Sequence, residues 1–427
     1  MNKKSRYAVA IGLLVVIAAG FTLFNSQSNI TAGSTCETKG ITKSNSGTEF
    51  ICELSGEELV WIDKSNTSVY AIGPGSRMVY QFVDKKLQRL NQFEVWQDKD
   101  GRAESDFDPI RVAAYKSISS LAMDESHKNI NIEYYIRPSF PTKIVDSIKL
   151  QVTETAKRIS PLLNKPMVFK LILVTEKDRK FILDELPKIA PNVEWKGSNS
   201  SFQTPTLDAY ETYDGFISRS GTGGGLAAYL PNENIGYYIG HTSSLATMKT
   251  YWPEIAPHEF THVVQGWFAN GFASNYPDGH PKAKWARHLI EGSANTVGMA
   301  MGFDQLGWYA DEMDLLLRRS IEYGRGENYS NFDQLFPMKN TSDAVELIRT
   351  LEAAQGRWQQ DLSYSAGQFI WEFYIGKYGF DKYIELLTSL QKNSFNDGLN
   401  KTIGLNKDQF YQEVAPYLLA NWQRLSS

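Results

Sequence analysis

The residues best suited to chemistry are His258, Glu259 and His262, which stand close together in one short stretch of the chain. On an α-helix, two histidines four residues apart point only about 40° away from each other, so both imidazoles can reach one ion. Glu259 follows His258 by about 100° and can reach a water held by that ion. This spacing predicts a site for one Zn²⁺, with the two histidines as ligands.

The same helix has an apolar side that a protein core would bury. Phe260, Val263, Val264 and Trp267 fall opposite the histidines, as expected for an amphipathic helix with a buried back. The alternative is a chance match, in which the histidines are ordinary polar residues at the helix margin. With 6 histidines in 427 residues, this spacing should arise by accident in roughly one per cent of such chains.

Glu291 is the candidate third ligand, on a second predicted helix. Ala294, Asn295 and Gly298 lie within about 60° of Glu291 around that helix, and such small residues permit close approach. A carboxylate must come within about 2.2 Å of the ion, which bulky neighbours would prevent. His288 is the competing third ligand, although a neighbouring or substrate-contacting role is favoured for it. Asn295 is a candidate hydrogen-bond partner for a ligand histidine.

These two motifs resemble those of the gluzincin metallopeptidases, the group that contains thermolysin-like enzymes and zinc aminopeptidases. The resemblance is carried by residues 258–262 and by the run Glu291-Gly292-Ser293-Ala294, which is similar to the Glu-Gly-x-Ala motif of that group. It implies that His258, His262 and Glu291 are zinc ligands and that Glu259 is the general base. The metzincin motif is excluded, because Gln265 stands where that motif needs glycine.

Tyr364 is a further candidate that rests on resemblance. Residues 364–367, Tyr-Ser-Ala-Gly, are similar to the Tyr-x-x-Gly segment that supplies a transition-state tyrosine in the aminopeptidase branch. The resemblance implies that Tyr364 stabilises an oxyanion. The alternative is a tyrosine packed in the core at a helix start, in a chain with 22 tyrosines.

The resulting functional prediction is an extracytoplasmic zinc metallopeptidase acting on a peptide or protein substrate. The alternative is a non-catalytic, membrane-tethered binding or scaffold protein that retains a peptidase-like fold with bound zinc. Structural zinc sites normally fill all four positions with protein groups, and only three ligands are evident here, which favours catalysis. Endopeptidase or exopeptidase action and the oligomeric state stay open.

The amino terminus predicts export. Three basic residues precede an uncharged run of 18 residues, Tyr7 to Phe24, which as a helix would span about 27 Å, near the thickness of a bilayer core. An uncleaved single-pass membrane anchor is favoured over a cleaved signal peptide, which would give a secreted protein. Either reading puts the catalytic part outside the cytoplasmic membrane.

Composition and cysteine usage narrow the class further. The net charge of −4 gives no basic surface for nucleic acid, so nucleic-acid binding is disfavoured. The 2 cysteines, Cys36 and Cys52, most simply form a disulfide in an oxidising compartment, with two free thiols as the alternative. A chain of 427 residues with 42% hydrophobic content has room for two or three domains.

The fold class predicted from these patterns is α+β, with a small, mostly β amino-terminal module before a zincin-type domain of mixed sheet, active-site helices and a helical carboxyl-terminal part. The predicted segments are an anchor or signal (1–24), a tether (25–34), a disulfide-containing β module (35–102), a linker (103–128) and a gluzincin-like domain (129–427). Hydrophobic periodicity predicts helices over 109–123 and 142–163 and strands over 130–136, 167–174, 223–230 and 235–239. The glycine run at 223–225 lacks the spacing of a phosphate loop and is typical of an edge strand that an extended peptide could join. The alternative is a surface turn that leads into a buried strand.

Overall fold

The computed structural model describes most of the chain after the first 29 residues. The described ranges are 30–31, 34–38, 41–55, 58–63, 67–73, 76–83, 86–94, 102–140, 142–175, 177–189, 225–241, 254–270, 285–326, 331–353 and 357–426. The chain divides into two compact units, one made of residues 1–69, 78–83 and 88–94 and the other of residues 70–77, 84–87 and 95–427. The architecture is mixed α/β, with a small amino-terminal β module, a mixed sheet and many helices.

The amino-terminal module is an antiparallel sheet closed by a disulfide. Its strands are β1 (Thr42–Asn45), β2 (Thr48–Ser55) and β3 (Glu58–Asp63), paired in that order. Cys36 and Cys52 are bonded, so the predicted disulfide is confirmed. A second three-stranded sheet follows, in the order β4 (Thr67–Gly73), β5 (Ser76–Val83) and β6 (Lys86–Glu94). The prediction of a small β module is confirmed.

The larger unit contains a four-stranded mixed sheet in the order β7-β8-β10-β9. The strands β7 (Ile130–Ile136), β8 (Met167–Val174) and β10 (Ile235–His241) run parallel, and β9 (Gly225–Leu230) pairs antiparallel with β10. β8 is a mostly apolar run and β7 begins with alternating apolar and polar residues, and the predicted limits of both strands are confirmed. Among the described strands, β9 lies at an edge, as the glycine-rich approach to it predicts.

Strand β8 is buried on both faces of the sheet, and its successive residues point to opposite sides. On one face, Phe169 and Leu171 of β8 pack with helices α2 (Thr142–Ile159) and α5 (Ile255–Phe268). On the other face, Ile172 joins a smaller core. Helices α3 (Arg179–Asp184) and α4 (Leu186–Ile189) cover that side.

A large helical core completes this unit. Helix α1 begins at Pro109, where Asp108 Oδ1 accepts a hydrogen bond from the Ile110 amide at 2.8 Å, a typical helix start. The other helices with residues in or against this core include α6 (Ser293–Gly302), α7 (Leu306–Gly326), α8 (Phe332–Leu335), α9 (Thr341–Ala353), α10 (Arg357–Ser365), α11 (Gly367–Tyr378), α12 (Phe380–Ser389), α13 (Phe395–Ile403) and α14 (Lys407–Ser426).

Two helices end before the limits that their apolar periodicity predicts. Helix α1 (Pro109–Ser119) ends four residues before the predicted limit, where the Leu121 amide donates to the Ile118 carbonyl oxygen three residues back, at 3.2 Å. Helix α2 (Thr142–Ile159) passes into a short 3₁₀ turn, Ser160–Leu162. Tightening of this kind is common at helix ends.

The expected membrane attachment has to be corrected. A spanning helix needs about 20 predominantly apolar residues. No helix in the part of the chain that the structure describes is long and apolar enough to cross a bilayer, and the 21 residues of α7 include several charged ones. The predicted anchor, residues 7–24, lies outside the described residues. The membrane tether and the single-pass location in the cell membrane are therefore withdrawn.

Candidate metal centre

Helix α5 carries both histidines and lies with its apolar side against the sheet. Phe260 is fully buried and stacks on Phe169 of β8, with ring centroids 4.3 Å apart. Gly236 of β10 allows this close packing, since a Cβ atom there would lie 2.3 Å from Val263 Cγ1. Helix α5 therefore packs against the sheet through its apolar face. His258 lies on the opposite face of the helix and is only partly buried.

Three side chains converge on one point beside α5. The Nε2 atoms of His258 and His262 are 3.1 Å apart. Glu291 Oε2 lies 3.6 Å from His258 Nε2 and 3.3 Å from His262 Nε2. Among the described residues, this is the one group of three or more histidine, cysteine or acidic side chains that could hold a metal ion.

The triangle of ligand atoms has the dimensions of a zinc site. Atoms bound at about 2.0–2.2 Å to a tetrahedral Zn²⁺ lie about 3.3–3.5 Å from one another, close to the three observed separations. Glu291 is 5% exposed, and its Oε2 has no hydrogen-bond partner among the described residues. A buried acceptor without a donor is costly, and a cation would satisfy it. Two histidines with one glutamate also form a donor set used by catalytic zinc.

Two glycines allow Glu291 to approach the histidines. A Cβ atom at Gly298 of α6 would lie 2.7 Å from both Cα and N of His258. A Cβ atom at Gly292 would lie 2.3 Å from the backbone carbon of Gly367, at the start of α11. The backbones therefore touch where larger residues would separate them, as the small residues around Glu291 predict.

His288 is not part of this cluster. Its Nδ1 accepts a hydrogen bond from Trp371 Nε1 at 3.3 Å, and its Nε2 lies 3.0 Å from the Tyr411 hydroxyl. The reason is local geometry, because residues 288–292 form a π-helical turn, His288–Gly292. At about 4.4 residues per turn, residues three apart point about 115° away from each other, so His288 and Glu291 face different surroundings.

Tyr364 and Arg287 lie beside the ligands. The Tyr364 ring stacks on His258 with centroids 5.9 Å apart and planes 13° from parallel. Tyr364 stands near the carboxyl-terminal end of α10, not at a helix start. Arg287 Nη2 is 2.7 Å from Glu291 Oε1 and 3.4 Å from the Tyr364 hydroxyl. Arg287 therefore holds the carboxylate oxygen that faces away from the histidines.

Glu259 is buried next to the ligands, at 7% exposure. Burial is the main cause that raises the pKa of Tyr364 well above its ordinary value, and the carboxylates of Glu291 and Glu259 add to it. Both carboxylates also act on His262: burial alone would lower its pKa, but Glu291 and Glu259 outweigh burial and raise it. The predicted base is therefore electrostatically coupled to the ligands.

The carboxylate of Glu291 is ionised. Burial alone would raise its pKa, but Arg287 and His262 outweigh burial and hold the pKa of Glu291 well below its ordinary value. A metal ligand must be deprotonated. The charge state of this carboxylate therefore fits a cation.

The hydrogen-bond partner of a ligand histidine is Gln265 and not Asn295. Gln265 Oε1 lies 3.0 Å from His262 Nδ1, whereas Asn295 Nδ2 donates to Gln368 Oε1 at 3.4 Å. Sequence reasoning missed both Gln265 and Arg287 as parts of the site. Their spacing was the available signal, since Gln265 follows His262 by three residues and Arg287 precedes Glu291 by four.

The remaining histidines lie elsewhere or outside the described side chains. His127 Nδ1 contacts the Ile130 carbonyl oxygen at 2.8 Å. His241 ends β10, but its side chain is outside the described part, as is the whole of His280.

The chain matches no protein-family model, and neither a curated protein nor a solved structure matches it. The resemblance to gluzincins therefore rests on the motif residues themselves, and membership of that group stays a prediction.

Proposed function

We propose that this protein is a zinc-dependent peptidase of the gluzincin type, with a zincin-like domain built on the mixed sheet. The observation that carries the proposal is the triangle formed by His258, His262 and Glu291, whose sides of 3.1, 3.3 and 3.6 Å match a tetrahedral zinc ligand set. Three protein ligands are typical of catalytic zinc, because a fourth position stays open for water or substrate. This favours catalysis over a purely structural ion.

Glu259 acts as the general base in this proposal. Zn²⁺ bound by these ligands would lower the pKa of a coordinated water toward 7 and polarise a substrate carbonyl. Glu259 accepts a proton from the attacking water and passes it to the nitrogen of the leaving amine, so its carboxylate is regenerated after each cycle. Peptide-bond hydrolysis needs one such proton shuttle, and Glu259 is buried beside the ligands.

Tyr364 supplies a hydrogen-bond donor to the negative charge that develops on the carbonyl oxygen. The raised pKa of Tyr364, which burial and the neighbouring carboxylates cause, keeps its phenol protonated at neutral pH. One donor of this kind contributes roughly 3 kcal/mol to transition-state stabilisation. Arg287 orients the phenol through their 3.4 Å contact.

The edge strand β9 suggests how a substrate binds. It pairs with β10 on one side, and Tyr229 of β9 contacts Gly266 of α5, where a Cβ atom would lie 2.7 Å from Tyr229 Cβ. A peptide in an extended conformation can add a strand to the edge of a sheet through backbone hydrogen bonds. This mode requires a flexible or unfolded substrate segment.

The proposal is tested with Glu259→Gln. This variant should bind Zn²⁺ as the wild type does but lose at least about a hundredfold in turnover of unfolded casein and short peptides, because the proton shuttle is lost. Glu254→Gln is the matched control: Glu254 is also 7% exposed and precedes the same helix, so turnover should stay within about twofold of wild type. Zinc measured by atomic absorption, with hydrolysis assayed with and without chelator, gives both readouts.

Two outcomes would contradict the proposal. Full turnover of Glu259→Gln would remove Glu259 as the base. Stoichiometric zinc without any hydrolysis in the wild type would instead support a non-catalytic, zinc-containing binding protein.

A further inference from the structure

Gln265 connects the two segments that bear the candidate ligands. It is fully buried in helix α5. On one side its Oε1 lies 3.0 Å from His262 Nδ1. On the other side its Nε2 donates to the carbonyl oxygen of Ile290 at 2.9 Å, the residue directly before Glu291. One side chain thus contacts a ligand on α5 and the backbone next to a ligand on the π-helical turn.

The orientation of the Gln265 amide follows from its neighbours. A backbone carbonyl oxygen can only accept, so the group facing Ile290 must be the NH₂ and not the oxygen. Its second N–H is directed to Ser293 Oγ at 2.9 Å. Both donors are then used, and the amide oxygen is left to face His262.

Ser293 and Tyr383 support the same assignment. Ser293 Oγ lies 2.6 Å from the Leu289 carbonyl oxygen, to which its single proton must go. Ser293 Oγ therefore accepts from Gln265, and it also accepts from the Tyr383 hydroxyl, 2.8 Å away. Each bond in this buried network has one donor and one acceptor, so reversing the Gln265 amide would put two acceptors face to face at Ile290.

We propose that Gln265 is a positioning residue that keeps the proton of His262 on Nδ1 and ties His262 to the segment bearing Glu291. An amide oxygen can only accept, so Nδ1 carries the proton and the lone pair of Nε2 points into the ligand triangle. Partners that hold a ligand imidazole in one tautomer typically change metal affinity 10–100-fold when removed. The inference rests on the proposed zinc centre, but the tautomer itself does not require the metal.

Two substitutions separate the acceptor from the rest of the side chain. Gln265→Met keeps the length and removes all polar groups, so Co²⁺ and Zn²⁺ affinity should fall about 10–100-fold. Gln265→Glu retains an oxygen facing His262 but sets its other oxygen against the carbonyl oxygen of Ile290, so its metal affinity should fall less than that of Gln265→Met without matching wild type. Competition titration with a chromophoric chelator measures both affinities on the full-length protein.

The imidazole ¹⁵N resonances of His262 provide a readout that a merely structural role would not move. In metal-free protein at alkaline pH, wild type and Gln265→Glu should have the proton on Nδ1, whereas Gln265→Met should have a mixture of the two tautomers. Thr261→Val is the control for general loosening of α5, because it removes the buried bond from Thr261 Oγ1 to the Pro257 carbonyl oxygen. Its metal affinity should stay within about twofold of wild type.

The outcomes distinguish this inference from the proposed function. Wild-type protein that binds neither Co²⁺ nor Zn²⁺ would overturn the zinc centre, and the ¹⁵N measurement would still decide the tautomer. Wild-type binding with an unchanged Gln265→Met affinity, or equal losses in Gln265→Met and Thr261→Val, would overturn the role of Gln265 alone.

Discussion

His288 illustrates how burial controls the charge of a single residue. Its ring is fully buried between Trp371 and Tyr411, and burial, with a smaller contribution from Lys407, lowers the pKa of His288 from 6.5 to about 3. The unfolded chain therefore binds one more proton than the folded chain between these two values. The stability that neutral His288 contributes is complete above pH 6.5 and is lost as the pH falls toward 3.

The predicted loss at pH 5 is ~2 kcal/mol of unfolding free energy relative to pH 8, from this residue alone. His288→Gln cannot take up the proton, so its unfolding free energy should fall by less over the same range, even if the variant is less stable at pH 8. Urea unfolding of both proteins at pH 8, 6.5 and 5 gives the unfolding free energy of each protein as a function of pH. The same pH dependence of the unfolding free energy in both proteins would mean that His288 titrates normally in the folded protein.

At this scale, residue type and spacing were sufficient to bring the right ligands together, but not to find their partners. His258, His262 and Glu291 converge because helical periodicity relates the histidines, and small residues around Glu291 permit its approach. In the sequence, Gln265 indicates only that the metzincin motif is absent. The three-residue spacing from His262 indicates which side of the helix Gln265 lies on, but its bonds to the carbonyl and hydroxyl groups of another segment cannot be predicted from one helix.

The close contact between helices α5 and α6 depends on Gly298. Replacement by alanine would put Cβ 2.7 Å from backbone atoms of His258, which cannot move as a flexible side chain can. Alanine favours helix by about 1 kcal/mol over glycine, but the clash should win and destabilise the protein by about 1–3 kcal/mol. Metal affinity should also fall about tenfold or more, because a ligand site tolerates displacements of only about 0.2 Å.

Gly398→Ala is the matched control for Gly298→Ala. The atoms nearest to a Cβ at Gly398 of α13 would all belong to side chains, the closest being the ends of Leu386 and Leu390 at 3.0 and 3.1 Å. We expect this variant to retain wild-type metal affinity and to unfold at nearly the same temperature. Thermal unfolding and Co²⁺ titration of both variants test the comparison, and similar affinity losses would show that the α5–α6 contact has no special importance.

The elements themselves were predicted unevenly, for physical reasons. Strand β8 was located correctly because a buried parallel strand reads as a mostly continuous apolar run. Strand β7 was located from the alternation of apolar and polar residues at its start. The turn at His288–Gly292 was expected to be α-helical, and its π-helical geometry changes which residues share a face. Gly292 in this turn closely approaches Gly367, a tertiary contact that apolar periodicity along the chain cannot predict.

The whole molecule consists of two units, each with its own core. In the amino-terminal unit, Cys52, Phe50 and Trp61 form a small buried cluster, and the disulfide joins residues 16 apart. Small cores contribute little stability by themselves. Closing a loop of about fifteen residues stabilises a fold by about 3 kcal/mol, mainly by restricting the unfolded chain.

The double variant Cys36→Ser/Cys52→Ser should therefore destabilise the amino-terminal unit and leave the metal centre unaffected. We expect limited proteolysis to cut within residues 41–63 at concentrations that spare the wild type, since a loss of about 3 kcal/mol raises the open population more than a hundredfold. Co²⁺ affinity should remain within about twofold, because His258, His262 and Glu291 all belong to the other unit. A parallel loss of metal affinity would mean that the two units fold as one, and that the ligands depend on the disulfide-bonded module.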